Sequence, residues 1–187
     1  MAPDLLPVLM ALRVKRRVAP ATLAAAAGLS EDEVGGVLEV ARGEGIVCRA
    51  DDGWALSDLG RAVLAERLAV EPIDRARVSA LYPRFLALDV ELKAAITAWQ
   101  LAANARERSG ATSDLLAAGE AAVTVANDMA AVVPRLRSYA ARLTAAVRAV
   151  GDGAVPFVAS PRVDSLHQVW FELHEDLLVM LGRSRTS

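Results

Sequence analysis

The sequence predicts a mainly α-helical protein in two parts. The first part has three helices, a small β-hairpin and a fourth helix, and the second is a helical bundle. Of the 187 residues, 54% are apolar but only 4% are aromatic. Much of the apolar content is alanine, which favours tightly packed helices over a sandwich or barrel. Because the patterns on either side of Glu71-Pro72 are unrelated, we place the domains at residues 1–71 and 72–187.

Composition also limits the compartment and the chemistry. A single cysteine excludes an internal disulfide and suits a reducing compartment. The start of the chain lacks a basic stretch leading into an apolar run, and no run of about eighteen apolar residues is free of charge and proline. We therefore predict a cytoplasmic protein with no membrane segment. No complete catalytic or metal-binding motif occurs, and no cofactor is predicted.

The first two helices are marked by their ends. Asp4 can cap the first helix, whose apolar residues fall at helical spacing and which closes in the basic run 13–17. Pro20 opens a short second helix, and Gly28 supplies the left-handed residue that ends it.

The third helix carries the clearest local pattern. Ser30 and Glu33 match a capping box. The predicted buried stripe of this helix is Val34, Val37, Leu38 and Ala41. A short helix, a glycine turn and a capped helix form helix-turn-helix organisation. Residues 46–49 and 54–57 flank Asp51-Asp52-Gly53 and predict a hairpin with a tight turn, followed by a helix from about residue 58 to residue 69.

The hairpin and the helix after it carry a resemblance. The run Gly53-Trp54-Ala55-Leu56-Ser57-Asp58-Leu59-Gly60-Arg61, placed after a helix-turn-helix, resembles the wing and following helix of MarR-type winged-helix regulators. The resemblance covers about the first 70 residues. It implies a winged-helix fold, a homodimer, binding to duplex DNA and a response to a small-molecule ligand.

The charges of this part oppose tight DNA binding. Residues 1–71 hold eight Lys or Arg against eleven Asp or Glu. The outward positions of the third helix, which enters the major groove in DNA readers, are Glu31, Asp32, Gly35, Gly36 and Glu39. Acids repel phosphates, and glycines have no side chain to contact a base. The residues that could hold a DNA backbone are Arg13, Lys15, Arg16, Arg17, Arg42 and Arg49.

The second part is predicted to contain four or five helices that form a bundle. The predicted helices cover residues 73–81, 84–106, 114–133, 135–150 and from Ser165 onward. Between them we expect breaks at Pro83 and Pro134, a loop at residues 107–113 and an irregular connection at residues 151–161. Ser165 and Gln168 match a second capping box.

The last helix has the richest chemistry. Residues 164–177 hold both histidines, two aromatics and four carboxylates. The segment resembles the terminal helix of a group of actinobacterial proteins usually assigned to the MarR family. That group tends to have an amide where this chain has Asp89 and an acid where it has Ala98. The resemblance therefore implies an altered ligand site.

We predict a ligand pocket in the bundle, walled by Trp99 and Trp170, in which Asp89 pairs with a histidine. The predicted ligand-binding residues are Asp89, Trp99, Asp164, His167, Trp170, Phe171 and His174. For acid–base chemistry the candidates are His167 or His174 as the proton carrier, with Asp89, Asp164 or Glu175 as the orienting carboxylate. The two histidines stand about 10 Å apart along the helix, so no metal site is predicted.

Two functions follow, with a third left open. The first is a dimeric transcriptional regulator that senses a small molecule through its second part. The second is a winged-helix scaffold repurposed as a small-molecule enzyme or binding protein, with secondary metabolism as one setting. The third is an adaptor that uses the first part as a protein-interaction surface.

Overall fold

The computed structural model describes residues 4–16, 18–50 and 53–183. It is mainly helical, with one two-stranded antiparallel sheet. The chain divides into two compact units, Met1–Ile73 and Asp74–Ser187. The first is called the N-terminal unit and the second the helical unit below. The division falls two residues after the predicted domain edge.

The N-terminal unit has the predicted order of elements. Its members are α1 (Leu5–Lys15), α2 (Pro20–Ala27), α3 (Glu31–Gly43), β1 (Val47–Ala50), β2 (Gly53–Leu56) and α4 (Asp58–Val70). The predicted stripe of α3 is buried as expected. Arg17 and the turn residues Asp51 and Asp52 lie outside the described residues.

Local caps explain where these helices begin. The Asp4 carboxylate accepts a hydrogen bond from the Leu6 amide. At α3 the full capping box is formed, because Ser30 Oγ accepts from the Glu33 amide and Glu33 accepts from the Ser30 amide. Those hydrogen bonds from Ser30 lower the pKa of Glu33, which favours its charged form at the start of the helix.

The hairpin is tied to the link between α1 and α2. The backbone of Trp54 pairs with that of Val18 in both directions, at 3.3 and 3.0 Å. The approach is so close that a Cβ on Gly53 would lie 2.2 Å from the Val18 carbonyl oxygen. Gly53 also has a φ of 154°. Only glycine fits this contact, which fixes the hairpin against the buried core around Trp54.

The helical unit is built from three long antiparallel neighbours and a last helix. Its elements are α5 (Arg75–Leu101), α6 (Ala105–Val132), a 3-10 turn (Pro134–Leu136), α7 (Arg137–Gly151), α8 (Pro156–Ala159) and α9 (Leu166–Met180). α6 packs against α5 and α7, while α9 packs against α5, α7 and α8. Small residues allow this close approach, and a Cβ on Gly119 would come within 2.8 Å of Val147.

The predicted break at Pro83 is wrong. α5 runs without interruption through Pro83, which lies on the exposed face of the helix. A proline inside a helix removes one hydrogen bond and costs about 3 kcal/mol. The buried neighbours Tyr82 and Phe85 offset that cost, because they pack against α9 only when the helix is continuous.

The predicted loop at residues 107–113 is also wrong. These residues form the first turns of α6, and the chain reverses earlier, at residues 102–104. Asn104 Oδ1 caps α6 by accepting from the Glu107 amide, and Glu107 accepts in return from the Ala103 amide. The serine and glycine that indicated a loop lie on the outer face of α6, where a helix tolerates them.

The break at Pro134 and the irregular connection after α7 are confirmed, although the connection includes the short α8. Ser165 caps α9 as predicted, by accepting from the Gln168 amide. The Gln168 side chain does not complete the box, because it donates to Glu172 instead.

Helix α6 is long and apolar enough to cross a membrane by length and composition alone. It is the one such helix among the residues that the structure describes, and its most apolar window has a mean hydropathy of 1.3. Within that window 39% is buried inside the protein. This burial between α5 and α7 is typical of the central helix of a bundle.

Two glycines of the N-terminal unit should respond oppositely to alanine. A Cβ on Gly36, inside exposed α3, meets nothing within 4 Å, so Gly36→Ala should raise the free energy of unfolding by about 0.5–1 kcal/mol. A Cβ on Gly60 would lie 2.0 Å from the Ile46 carbonyl oxygen, so Gly60→Ala should lower it. Urea unfolding followed by circular dichroism measures both. A loss of stability in Gly36→Ala would contradict this account of α3.

Candidate ligand site and ionic network of the helical unit

The contact between α5 and α9 gathers several predicted site residues. Trp170 is buried and stacks on Phe85, with ring centroids 4.2 Å apart. Its indole N–H donates to Asp89 Oδ1 at 3.1 Å, and Lys93 Nζ donates to Asp89 Oδ2 at 2.7 Å. Lys93 therefore neutralises the Asp89 carboxylate, and Trp170 bonds it across the bundle.

The predicted pairing of Asp89 with a histidine is wrong. His174 is buried beside Phe85, and its Nε2 lies 2.9 Å from the Tyr82 hydroxyl. Asp89 binds Lys93 and Trp170, whereas His174 lies against Tyr82. Asp89 is therefore not the carboxylate that orients His174.

The remaining predicted residues are scattered. His167 is exposed at the start of α9, and Phe171 is 38% exposed. Glu175 is half-buried, and Asp164 lies before α9, where it binds an arginine of α7. Trp99 is half-buried on the last turn of α5, where its indole binds Thr112 of α6. Phe85 thus contacts Trp170 and His174, and Trp170 binds Asp89, whereas Trp99 is not part of this cluster.

A buried ionic network joins α7 to α9, and the sequence reading missed it. Arg142 of α7 donates to both oxygens of Asp164, at 2.7 and 2.8 Å, and to Glu172 at 2.5 Å. Burial alone lowers the pKa of Arg142, but the hydrogen bonds and charges of the two carboxylates raise it above its ordinary value. The guanidinium is permanently charged and holds two segments of the chain at once.

A second ion pair extends the network by two turns. Arg135 donates to Asp176 at 2.5 and 2.8 Å, and the Tyr139 hydroxyl donates to the same carboxylate at 3.3 Å. Burial raises the pKa of Tyr139 well above its ordinary value, and the charges of Asp176 and Glu172 add to the effect. Tyr139 is accordingly a neutral donor at physiological pH.

This network is structural in character. Among the described residues, every buried side-chain nitrogen or oxygen has a hydrogen-bond partner. A fully satisfied network rigidifies a core and leaves no group ready to act on a ligand. No group of three or more histidine, cysteine, aspartate or glutamate side chains that could hold a metal ion occurs in the described ranges.

Another cavity of the helical unit lies around Trp99 and has a volume of about 560 Å³. The ends of α5 and α7, the start of α6 and the connection to α8 surround it. Its lining residues are Trp99, Arg108, Thr112, Val150, Gly151, Gly153, Ala154, Val155 and Val158. We call it the Trp99 cavity. Its walls are mostly apolar, with one aromatic ring, one hydroxyl and one cation.

The polar groups of the Trp99 cavity are fixed in position. The guanidinium of Arg108 lies over the Trp99 ring, 4.2 Å from its centroid, and donates to the Ala102 carbonyl. The Trp99 indole N–H donates to Thr112 Oγ1 at 3.1 Å. No carboxylate is among the lining residues, so the charge of Arg108 is not neutralised within the cavity. The sequence reading missed Arg108 and Thr112 because it assigned them to a loop.

The candidate DNA-binding residues that the structure describes differ in their surroundings. Arg42 is paired with Glu39 at 2.8 Å, and Arg49 lies over Trp54 in the hairpin. Arg13 and Arg16, with Arg61 of α4, line a depression of about 510 Å³ beside β2. Lys15 is half-buried, and Arg17 lies outside the described residues.

The ionic network predicts a stability change that depends on position. Arg142→Ala removes the cation that Asp164 and the buried Glu172 share and should lower the free energy of unfolding by about 3–5 kcal/mol. Arg148→Ala, at an exposed position of the same helix, should change it by less than about 0.5 kcal/mol. Chemical denaturation of the full chain measures both.

The double variant Arg142→Met, Glu172→Met separates the causes. It should recover part of the stability lost in Arg142→Met, because the buried carboxylate that has lost its cation is also gone. If the double variant is as unstable as the single one, the charge of Glu172 without Arg142 is not the reason for the loss.

The comparisons with known proteins give no match. No protein-family model, no curated protein and no solved structure resembles this chain. The resemblance of residues 1–70 to MarR-type regulators therefore stays a prediction, and the function is argued from the contacts described above.

Proposed function

We propose that the protein is a ligand-responsive regulator. Its ligand, bound in the Trp99 cavity, is a small molecule with an apolar body and one negatively charged group. The observation that carries this proposal is the Arg108 guanidinium, stacked on Trp99 without a carboxylate among its cavity neighbours. An aromatic wall attracts an apolar body, and a lone cation selects an acidic group on it.

The cavity supports binding rather than turnover. No histidine or carboxylate is among its lining residues, so no side chain there can transfer a proton near neutral pH. The Thr112 hydroxyl is already bonded to the Trp99 indole and to the Arg108 carbonyl, so orientation of a ligand depends on the Arg108 guanidinium and the Trp99 ring. Its volume is within the range of pockets for small molecules.

The N-terminal unit is proposed to be the output domain. The order of α1, α2, α3, hairpin and α4 supports a winged-helix assignment, as does the resemblance of residues 53–61. A homodimer is the arrangement that this resemblance implies, and the single cysteine suits a reducing compartment such as the cytoplasm. α3 begins with three acidic residues, which oppose close contact with a DNA groove.

Fluorescence titration with a matched pair of probes tests the ligand site. We expect 1-naphthoate to change the emission of Trp99, the half-buried tryptophan, while the neutral 1-naphthamide binds about tenfold more weakly, a difference of about 1.4 kcal/mol. Arg108→Met should weaken naphthoate binding by a similar factor. Arg106→Met, at an exposed position on the same helix, is the control.

Calorimetric titration of the same variants gives a measurement that does not depend on Trp99. Equal affinity for the acid and the amide, or an unchanged affinity in Arg108→Met, would refute an anion site at this cavity.

Titration with labelled DNA tests the output domain. We expect weak, salt-sensitive and sequence-independent binding to duplex DNA, because only phosphate contacts from residues such as Arg13 and Arg16 are available. Arg13→Gln with Arg16→Gln should reduce it, and Arg106→Gln should not. Fluorescence anisotropy with the upstream sequence of the gene and a random duplex measures the difference. Tight binding to one sequence at physiological salt would show that α3 reads bases after all.

A further inference from the structure

A groove runs beside α3 and shares Asp32 and Gly36 with the outward face of this helix. It is bounded by the start of α1 and by α4, and its volume is about 570 Å³. Four residues give it an apolar floor: Leu5, Val37, Val40 and Ala41. Its polar lining residues are Asp32, Glu33, Glu44 and Arg67, and Gly36 completes it. We call this feature the α3 groove.

Part of the floor of the α3 groove is accessible. Val40 is 64% exposed and Leu5 is half-buried, whereas Val37 and Ala41 are buried. Gly36 precedes it by one turn and has no side chain, and the space where its Cβ would be is open. An exposed apolar side chain next to an open glycine leaves a concave strip along the helix, into which side chains of another molecule can insert.

The charges around this strip favour one class of partner. Three carboxylates face one guanidinium among the lining residues. The nearby Arg42 does not change this balance, because Glu39 binds it at 2.8 Å. A negative rim repels the phosphates of DNA and attracts lysine and arginine. The apolar floor in turn requires apolar side chains on the partner.

We propose that the α3 groove binds an amphipathic helical segment of a partner protein, with apolar residues along one face and lysine or arginine on both sides of them. Insertion of such a helix into an apolar groove is a common mode of peptide recognition. α3 has 13 residues and is about 20 Å long, which matches three to four turns of a partner helix. The site lies in the N-terminal unit, so it is independent of the proposed ligand cavity.

The test uses the full chain and a labelled model peptide of leucine and lysine. Its leucines recur every three to four residues, so that they form one face of a helix with the lysines on both sides. We expect fluorescence anisotropy to show binding that weakens at least fivefold when the lysines of the peptide are replaced by glutamates. Val40→Lys should weaken binding at least tenfold. Val70→Lys, at an 80% exposed position of α4 outside the groove, should leave it unchanged.

Two further variants separate the apolar and the charged contributions. Gly36→Phe should block the groove without a backbone clash, and Asp32→Asn with Glu44→Gln should weaken binding and reduce its salt dependence. Circular dichroism and thermal unfolding confirm that each variant is folded.

Three outcomes would overturn the proposal. The first is equal affinity for the basic and the acidic peptide. The second is displacement of the peptide by duplex DNA, together with tighter DNA binding by Val40→Lys than by the unchanged protein. This result would assign the surface to nucleic acid. The third is a dimer that does not bind the peptide and that dissociates when Val40 is replaced by lysine, as measured by light scattering. This result would assign the groove to a second copy of the chain.

Discussion

The arrangement of the helical unit depends on Arg142 and the two carboxylates that it binds. This guanidinium is buried on α7, and its partners Asp164 and Glu172 come from the segment before α9 and from α9 itself. Removing charges from water is costly, and the cost is recovered only when the partners meet in good geometry. The ion pairs therefore specify one register of α9 along α7, where apolar contacts alone would tolerate several. Asp176 with Arg135 repeats the constraint two turns away. The aromatic contacts with α5 follow from this register, since Trp170 and His174 lie on the same helix as Glu172.

The charged residues of α9 and the cation of the Trp99 cavity have different roles: those of α9 hold the fold together, and Arg108 in the cavity is available to a ligand. Every acid on the inner face of α9 has a cation or a donor, so the segment with the most titratable residues is the least available for a reaction. The Trp99 cavity is the reverse case, with few polar groups and one cation whose charge is not neutralised by a neighbour in the cavity. A ligand is expected where charge is left uncompensated, because there its binding completes a pair instead of breaking one.

Sequence patterns predicted what is decided locally. The capping box of α3 was predictable because both partners, Ser30 and Glu33, lie within one turn. The continuity of α5 through Pro83 was not, because it depends on the packing of Tyr82 and Phe85 against a helix some ninety residues later. The loop assigned to residues 107–113 hid Arg108 and Thr112, since the cap at Asn104 was overlooked. The partner of Asp89 was missed for another reason. A buried carboxylate needs a donor, but periodicity cannot say whether an imidazole or the indole of Trp170 supplies it.

The dependence of α7 on α9 has a consequence for synthesis. The N-terminal unit is complete at residue 73, so it can fold while the rest of the chain is still being made. The helical unit cannot do the same. Until the segment before α9 and α9 itself have left the ribosome, Asp164, Glu172 and Asp176 cannot pair with Arg135 and Arg142. α5, α6 and α7 can pack against one another in that interval, but the faces of α5 and α7 that α9 covers stay exposed. Any protection from chaperones would be needed in that interval.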